Sequence, residues 1–129
     1  MKKAYYYIST SQDPYYNIAL EDYLYRQLRS LETIYFLWIN RPSVFMGRYQ
    51  HAEAELDVEY LQKRGIALLR RTSGGGTVYH DEGNLNFSVI KNGEESKGFD
   101  LAACPQPVQS ALAKKGVEVV RSPRGDLRL

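Results

Sequence analysis

The run Arg70-Arg71-Thr72-Ser73-Gly74-Gly75-Gly76-Thr77-Val78-Tyr79-His80-Asp81, with Gly83-Asn84-Leu85-Asn86-Phe87-Ser88 behind it, sets three consecutive glycines between β-prone segments. Glycine loses more backbone entropy on ordering than any other residue. Three in a row make sense where the backbone must take positive φ or where a ligand must touch it. Glycine-rich turns present successive N–H groups that cradle a phosphate or carboxylate. Arg70 and Arg71 add guanidinium forks suited to the same anions. His80 stands two strand positions beyond Val78, on the same face. Two readings follow: a flexible hairpin loop with basic flanks, or an anion site. The segment is not a P-loop, because no Gly-Lys-Ser/Thr follows. It is not a dinucleotide fingerprint, because the glycines are contiguous and lead into a strand.

Upstream of the loop, Ile66 to Arg70 reads as a strand, and Gly65 sits where a left-handed helix cap belongs. The good helix formers from Glu53 to Arg64 predict one helix. Val44-Phe45-Met46 is a short strand closed by Gly47, after the turn residues Asn40-Arg41-Pro42-Ser43. Ile34 to Ile39 is a continuous apolar run, as a central strand requires. Asp13-Pro14 opens a helix with an apolar stripe at Leu20, Leu24, Leu28 and Leu31. Tyr5 to Ser9 is a β-prone start.

Downstream, Thr77 to His80 and Leu85 to Ile90 are strands joined by Asp81-Glu82-Gly83, with Leu85, Phe87 and Val89 alternating against Asn86 and Ser88. Asn92 to Lys97 is a polar loop. Pro105 and Pro107 open a helix that runs to Lys115 and is capped by Gly116, and Val117 to Val120 is a further strand. The expected order is β-α-β-β-α-β-β-β-α-β. Short links imply antiparallel hairpins, and helical crossovers permit parallel pairs. This is an α/β protein with a mixed, largely antiparallel sheet flanked by helices, without an internal domain boundary in residues 1–129.

Composition excludes several classes. Of 129 residues, 43% are hydrophobic and 25% charged, as in ordinary globular domains. The net charge of +2 gives no prior for a nucleic-acid binder. One cysteine, Cys104, excludes an intrachain disulfide framework and a cysteine-based zinc cluster, and reads as a small packing residue. No apolar run approaches the roughly 18 residues of a membrane span. The start is too polar for a signal peptide, so a cytoplasmic location is expected. His80-Asp81 invites a metal or triad reading, against that of a hydrogen-bonded histidine at a strand end. With His51 the only other histidine, no Ser-His-Asp set assembles.

The glycine segment and the Gly83 to Ser88 run after it resemble the pattern of the lipoate-protein ligases, in the biotin/lipoate ligase superfamily. Asn17-Ile18-Ala19-Leu20-Glu21 resembles the family's Asn-x-Ala-x-Glu segment. Phe36-Leu37-Trp38 and Val44 to Gln50 resemble its next strands, and Arg124-Gly125-Asp126-Leu127 its Arg-Asn-Asp-Leu turn. The resemblance implies a biotin/lipoate-ligase-like fold, activation of lipoate with ATP and Mg2+ to lipoyl-AMP, and transfer to a lysine of a carrier domain. The carriers would be lipoyl domains of 2-oxo-acid dehydrogenases or the glycine-cleavage H protein. By position, Arg71 and the Gly76-Thr77-Val78-Tyr79 backbone would hold the adenylate. Ser73, Gly74, Gly75 and His80 would line the lipoyl and phosphate side, Asn84 would order the site, and Asp126 would lie near magnesium. Val78 and Tyr79 would help supply an apolar slot for the dithiolane tail.

The sequence departs from the family at Gly125, where Asn is usual, and at His51, where Asn is frequent. The family's essential lysine belongs to a Lys-x-Ser-Gly-x-Ala segment that does not occur among the 129 residues. The resemblance sets that segment beyond Leu129, so no residue of this chain is assigned the lysine's catalytic role. The expectation is therefore the N-terminal portion of a ligase catalytic domain: a fragment, a truncated product, or half of an enzyme completed by a separate C-terminal polypeptide. Alternatives are a lipoyl or octanoyl transferase of the same superfamily and a non-catalytic lipoate-binding remnant.

Overall fold

A computed structural model describes residues 3–27, 32–91, 104–123 and 126–129. The chain divides into two compact units, residues 1–92 and 93–129. The polar loop expected over 92–97 and the helix residues Leu28 and Leu31 lie outside the described residues.

The first unit contains β1 (Lys3–Ile8), α1 (Pro14–Gln27), β2 (Glu32–Ile39), β3 (Ser43–Met46), α2 (Ala52–Glu55), α3 (Val58–Lys63), β4 (Ala67–Arg70), β5 (Val78–His80) and β6 (Leu85–Lys91). The apolar run of β2 takes the centre of one sheet, parallel to β1 and antiparallel to β6. Phe36 and Trp38 are buried on one face of β2, their rings stacked 4.4 Å apart. In the second sheet β3 is central, parallel to β4 and antiparallel to β5. All four β3 residues are buried. Phe45, Ala67 and Leu69 form a core cluster against which Ile18 of α1 packs. Helix α1 also contacts β2 and β6, so it runs beside both sheets. Its start is set by Asp13, whose carboxylate accepts from Tyr15 N at 3.0 Å.

The second unit holds α4 (Gln106–Lys114) and a two-stranded ladder of β7 (Val120–Arg121) and β8 (Leu127–Arg128). Pro105 and Pro107 stand at the start of α4, and Gly116 takes φ +76 beyond its end. Leu129 follows β8 directly.

The structure corrects three local expectations. Strands β5 and β6 do not form a hairpin. The Asp81 turn, closed by Asn84 N to Asp81 O at 3.0 Å, carries the chain from one sheet to the other. Of the five pairings among the described strands, three are antiparallel. The helix expected over 53–64 is two helices. Asp57 is the reason: its carboxylate accepts from Tyr60 N at 2.9 Å and starts α3 afresh, while Leu56 before it is extended. A local cap outweighs the helix propensity of the run. The strand expected from Val117 begins only at Val120, because Val117 N is taken by Leu112 O at 3.0 Å in the closing turn of α4.

Candidate functional site

The glycine segment leaves β4 at Arg70 and enters β5 at Val78, so it joins two strands that flank the buried β3. It is fastened to the turn after β3. Arg48 N donates to Ser73 O at 2.9 Å, and Arg71 N to Met46 O at 3.0 Å. Gln50 Oε1 accepts from both Gly47 N, at 2.8 Å, and Thr77 Oγ1, at 2.9 Å. Arg70 Nη1 reaches the carbonyls of Gly47, Arg48 and Gln50 at 3.0, 3.1 and 2.6 Å.

Arg71 turns into its own loop. Its Nη2 donates to Gly74 O at 3.0 Å and Gly76 O at 2.6 Å, while Nη1 donates to Phe45 O at 3.1 Å. The arginine forks that the sequence offers for an anion thus hold backbone carbonyls. This has a geometric corollary. With every peptide of this loop trans, the N–H of residue i+1 points opposite the carbonyl of residue i. Holding Gly74 O and Gly76 O toward the guanidinium aims the N–H groups of Gly75 and Thr77 the other way.

The glycines differ in what requires them. Gly75 has φ +97, and a Cβ there would stand 2.9 Å from Arg71 Nη2. A Cβ on Gly47 would stand 1.9 Å from Gly75 O, so glycine at 47 is imposed by backbone packing. Gly74 and Gly76 have negative or extended φ, and a Cβ on either meets nothing within 4 Å. The fold itself does not ask for glycine at these two positions.

His80 ends β5 opposite Ser43, half-buried, with its ring stacked on Phe45 at 4.4 Å. Its Nδ1 lies 3.1 Å from Asn40 Nδ2. Asn40 Oδ1 accepts from Asn17 Nδ2 at 2.9 Å, and both asparagines are fully buried. Burial, and then the positive charge of Arg71, hold the His80 imidazole below its usual pKa of 6.5. In the sequence Asn40 reads as turn chemistry, and only its burial, with partners on α1 and β5, reveals its role.

The other expected site residues are more dispersed. Ser73 to Gly76 are exposed, as are Val78 and Tyr79, which alternate on opposite faces of β5. Asn84 Nδ2 donates to Asn86 Oδ1 at 3.2 Å. Ser88, on the same face of β6, is hydrogen-bonded to Glu21 of α1. This polar face of β6 is the one registered with Phe36 and Trp38. Asp126 belongs to the second unit. There its Oδ2 accepts from Ser122 Oγ at 3.2 Å and lies 3.7 Å from Arg128 Nη2. Among the described residues no group of three or more His, Cys, Asp or Glu side chains could hold a metal ion, and no helix is long and apolar enough to cross a membrane.

Residues 13–129 match the model of the lipoyl protein ligase A/B catalytic domain. The chain is 36% identical over 117 residues to lipoate–protein ligase 1 of Staphylococcus aureus, covering 91% of this chain and 36% of that protein. It is 37% identical over 115 residues to lipoate-protein ligase LplJ of Bacillus subtilis, covering 89% and 35%. The chain therefore spans about a third of the length of these curated relatives. Among solved structures it resembles Plasmodium falciparum LipL1 in complex with lipoate, with a TM-score of 0.78, 25% identity, and coverage of 98% of this chain and 40% of that one. It resembles lipoate-protein ligase A bound with ATP at a TM-score of 0.75 and 28% identity, covering 98% and 52%. A bipartite lipoate protein ligase from Thermoplasma acidophilum, described with its E2 lipoyl domain, matches at 0.63 and 26%, covering 94% and 48%.

Proposed function

The chain belongs to the lipoyl protein ligase A/B catalytic-domain family, and from that premise we propose that it is the adenylate-binding portion of a lipoate-protein ligase. In the reaction a carboxylate oxygen of lipoate attacks the α-phosphorus of ATP, and pyrophosphate leaves. A carrier lysine amine then attacks the acyl carbon, and AMP leaves. Both partners in the first step are anionic, so fixed dipoles and charge must bring them together. The observation that supports this reading is the anchored glycine segment. Arg71 holds two of its carbonyls, the N–H groups of Gly75 and Thr77 point away from it, and Gly74 and Gly76 leave room that the fold does not use.

In this reading Gly75 N–H and Thr77 N–H meet the anionic bridge of the adenylate, and the Gly76 to Tyr79 backbone continues along it. Arg71 acts by orienting those amides and by its positive charge. Ser73, Gly74 and His80 lie toward the lipoyl and phosphate side. Val78 contributes apolar surface, and Asn84 steadies the start of β6 through Asn86. The Asp126 carboxylate is exposed. One carboxylate suits Mg2+, which takes its remaining positions from phosphate and water. That assignment rests on the sequence resemblance. When bound, the ion would neutralise phosphate charge.

Carrier lipoyl domains are the proposed partners, in the cytoplasm. The bipartite neighbour supports a separate ligase polypeptide, bearing the lysine segment, as a further partner. Titration calorimetry with a non-hydrolysable lipoyl-adenylate analogue tests the site. Binding to the wild type and loss in Gly75→Val support it; equal affinity overturns it. The activity is tested by pyrophosphate release and by lipoyl transfer to a carrier domain in the presence of ATP, Mg2+ and lipoate.

A further inference from the structure

The hydrogen-bond chain that ends on His80 has a fixed direction. It starts at Ser11 O, a carbonyl that accepts and never donates, 2.8 Å from Asn17 Nδ2. The Asn17 amide is thereby oriented with its NH2 toward Ser11. A second bond agrees: Ser9 Oγ, which itself accepts from Ser11 N at 3.2 Å, lies 2.6 Å from Asn17 Oδ1 and gives its proton there. Asn17 Nδ2 then donates to the amide oxygen of Asn40 at 2.9 Å. With Oδ1 accepting, the nitrogen of Asn40 is the atom that faces His80 Nδ1, at 3.1 Å. That nitrogen has only protons to offer, so His80 Nδ1 must supply a lone pair.

We infer that Asn17 and Asn40 are positioning residues that set neutral His80 as the Nε2–H tautomer. A neutral imidazole with Nδ1 occupied as an acceptor has one donor left, at Nε2. The stacking of the ring on Phe45 and its seat opposite Ser43 fix the plane in which that donor lies. The arrangement makes His80 a hydrogen-bond donor to a bound oxygen atom while keeping Nδ1 unavailable to a proton. Nδ1–H would confront Asn40 N–H, donor against donor, in a place where Asn40 cannot rotate without abandoning Asn17. Resting on the ligase reading, the bound atom is a carboxylate or phosphate oxygen of the adenylate.

The tautomer is measured directly and without ligand. In ligand-free protein, two-bond 1H–15N correlation spectra of His80 distinguish the Nε2–H form from the Nδ1–H form. The wild type should show the Nε2–H form. An Nδ1–H wild type overturns it, even if ligase activity is normal. Asn40→Asp reverses the polarity of the last link, because a carboxylate accepts where the amide donated. The expected result is an Nδ1–H His80, together with a loss of about tenfold in affinity for the lipoyl-adenylate analogue. Asn40→Asp retaining both the wild-type tautomer and the wild-type affinity overturns the positioning role. Asn17→Asp, which removes the donor to Asn40 but leaves that residue in place, is the second variant. It should turn the Asn40 amide over, so that its NH2 faces the new carboxylate and its oxygen faces His80, and shift His80 toward the Nδ1–H form; an unchanged pure Nε2–H spectrum counts against the chain. A wild type that shows Nε2–H but binds no analogue removes the ligase reading alone, since the tautomer result stands on its own spectrum.

Discussion

Gly47 and Gly74 are both glycines in the same pair of fastened turns, yet the structure treats them differently. A methyl group at 47 would drive into the Gly75 carbonyl, whereas one at 74 enters open space. Gly47→Ala should separate the two turns, lowering the urea midpoint and weakening binding of the adenylate analogue. Gly74→Ala should leave the stability within about 0.5 kcal/mol of wild type, so any loss of binding would be attributable to the ligand. The Arg70–Asp81 segment was legible in the sequence because glycine runs are costly and therefore meaningful. The use of Arg70 and Arg71 was not, since a guanidinium suits a carbonyl as well as a phosphate and spacing does not distinguish them. Asn40 was illegible for a related reason: an asparagine before Arg-Pro reads as a turn until its burial is known. His80 yields a pH prediction. Its pKa is lowered in the folded state, so the unfolded chain takes up the proton first as pH falls below about 6.5. The stability is fully present above that pH and is lost as pH falls toward the folded value. Urea midpoints at pH values of about 7.5 and about 5.5, on either side of the unfolded pKa, should therefore differ less in His80→Gln than in wild type.

At the level of elements, the alternation read in β6 is real, but its polar side is the one turned toward α1. Leu85 is 60% exposed, whereas Phe36, across the sheet, is fully buried. Phe36→Ala should cost about 3–5 kcal/mol, and Leu85→Lys within about 0.5 kcal/mol, both read from chemical denaturation. Hydrophobic alternation identifies a strand and its two faces, but which face is inside depends on the element packed against it, and that is a tertiary fact. The same limit explains the missing β5–β6 hairpin. A short link implies adjacency in one sheet unless the turn carries the chain to another, as the Asp81 turn does. The helix break at Leu56 and Asp57 was closer to legible, because aspartate is a strong cap.

Across the whole molecule, the buried side chains among the described residues all lie in the first unit. Those of the second are half-buried or exposed. Amides of β2 and β3 should therefore exchange last, near the global unfolding free energy, and those of β7 and β8 early; the reverse order would place the stabilising core elsewhere. The element order and most strand positions followed from apolar runs and caps, while the division at residue 92 falls at the start of the polar Asn92 to Lys97 run, a composition that suits a loop within one unit as well as a link between two. The fastening of the glycine segment by Arg48, Gln50, Arg70 and Arg71 has a kinetic consequence. A loop already held in place by distant parts of the chain has little freedom left to lose when an adenylate arrives. Association with the analogue should then be a single step whose observed rate rises linearly with ligand concentration, without the plateau that a slow rearrangement imposes.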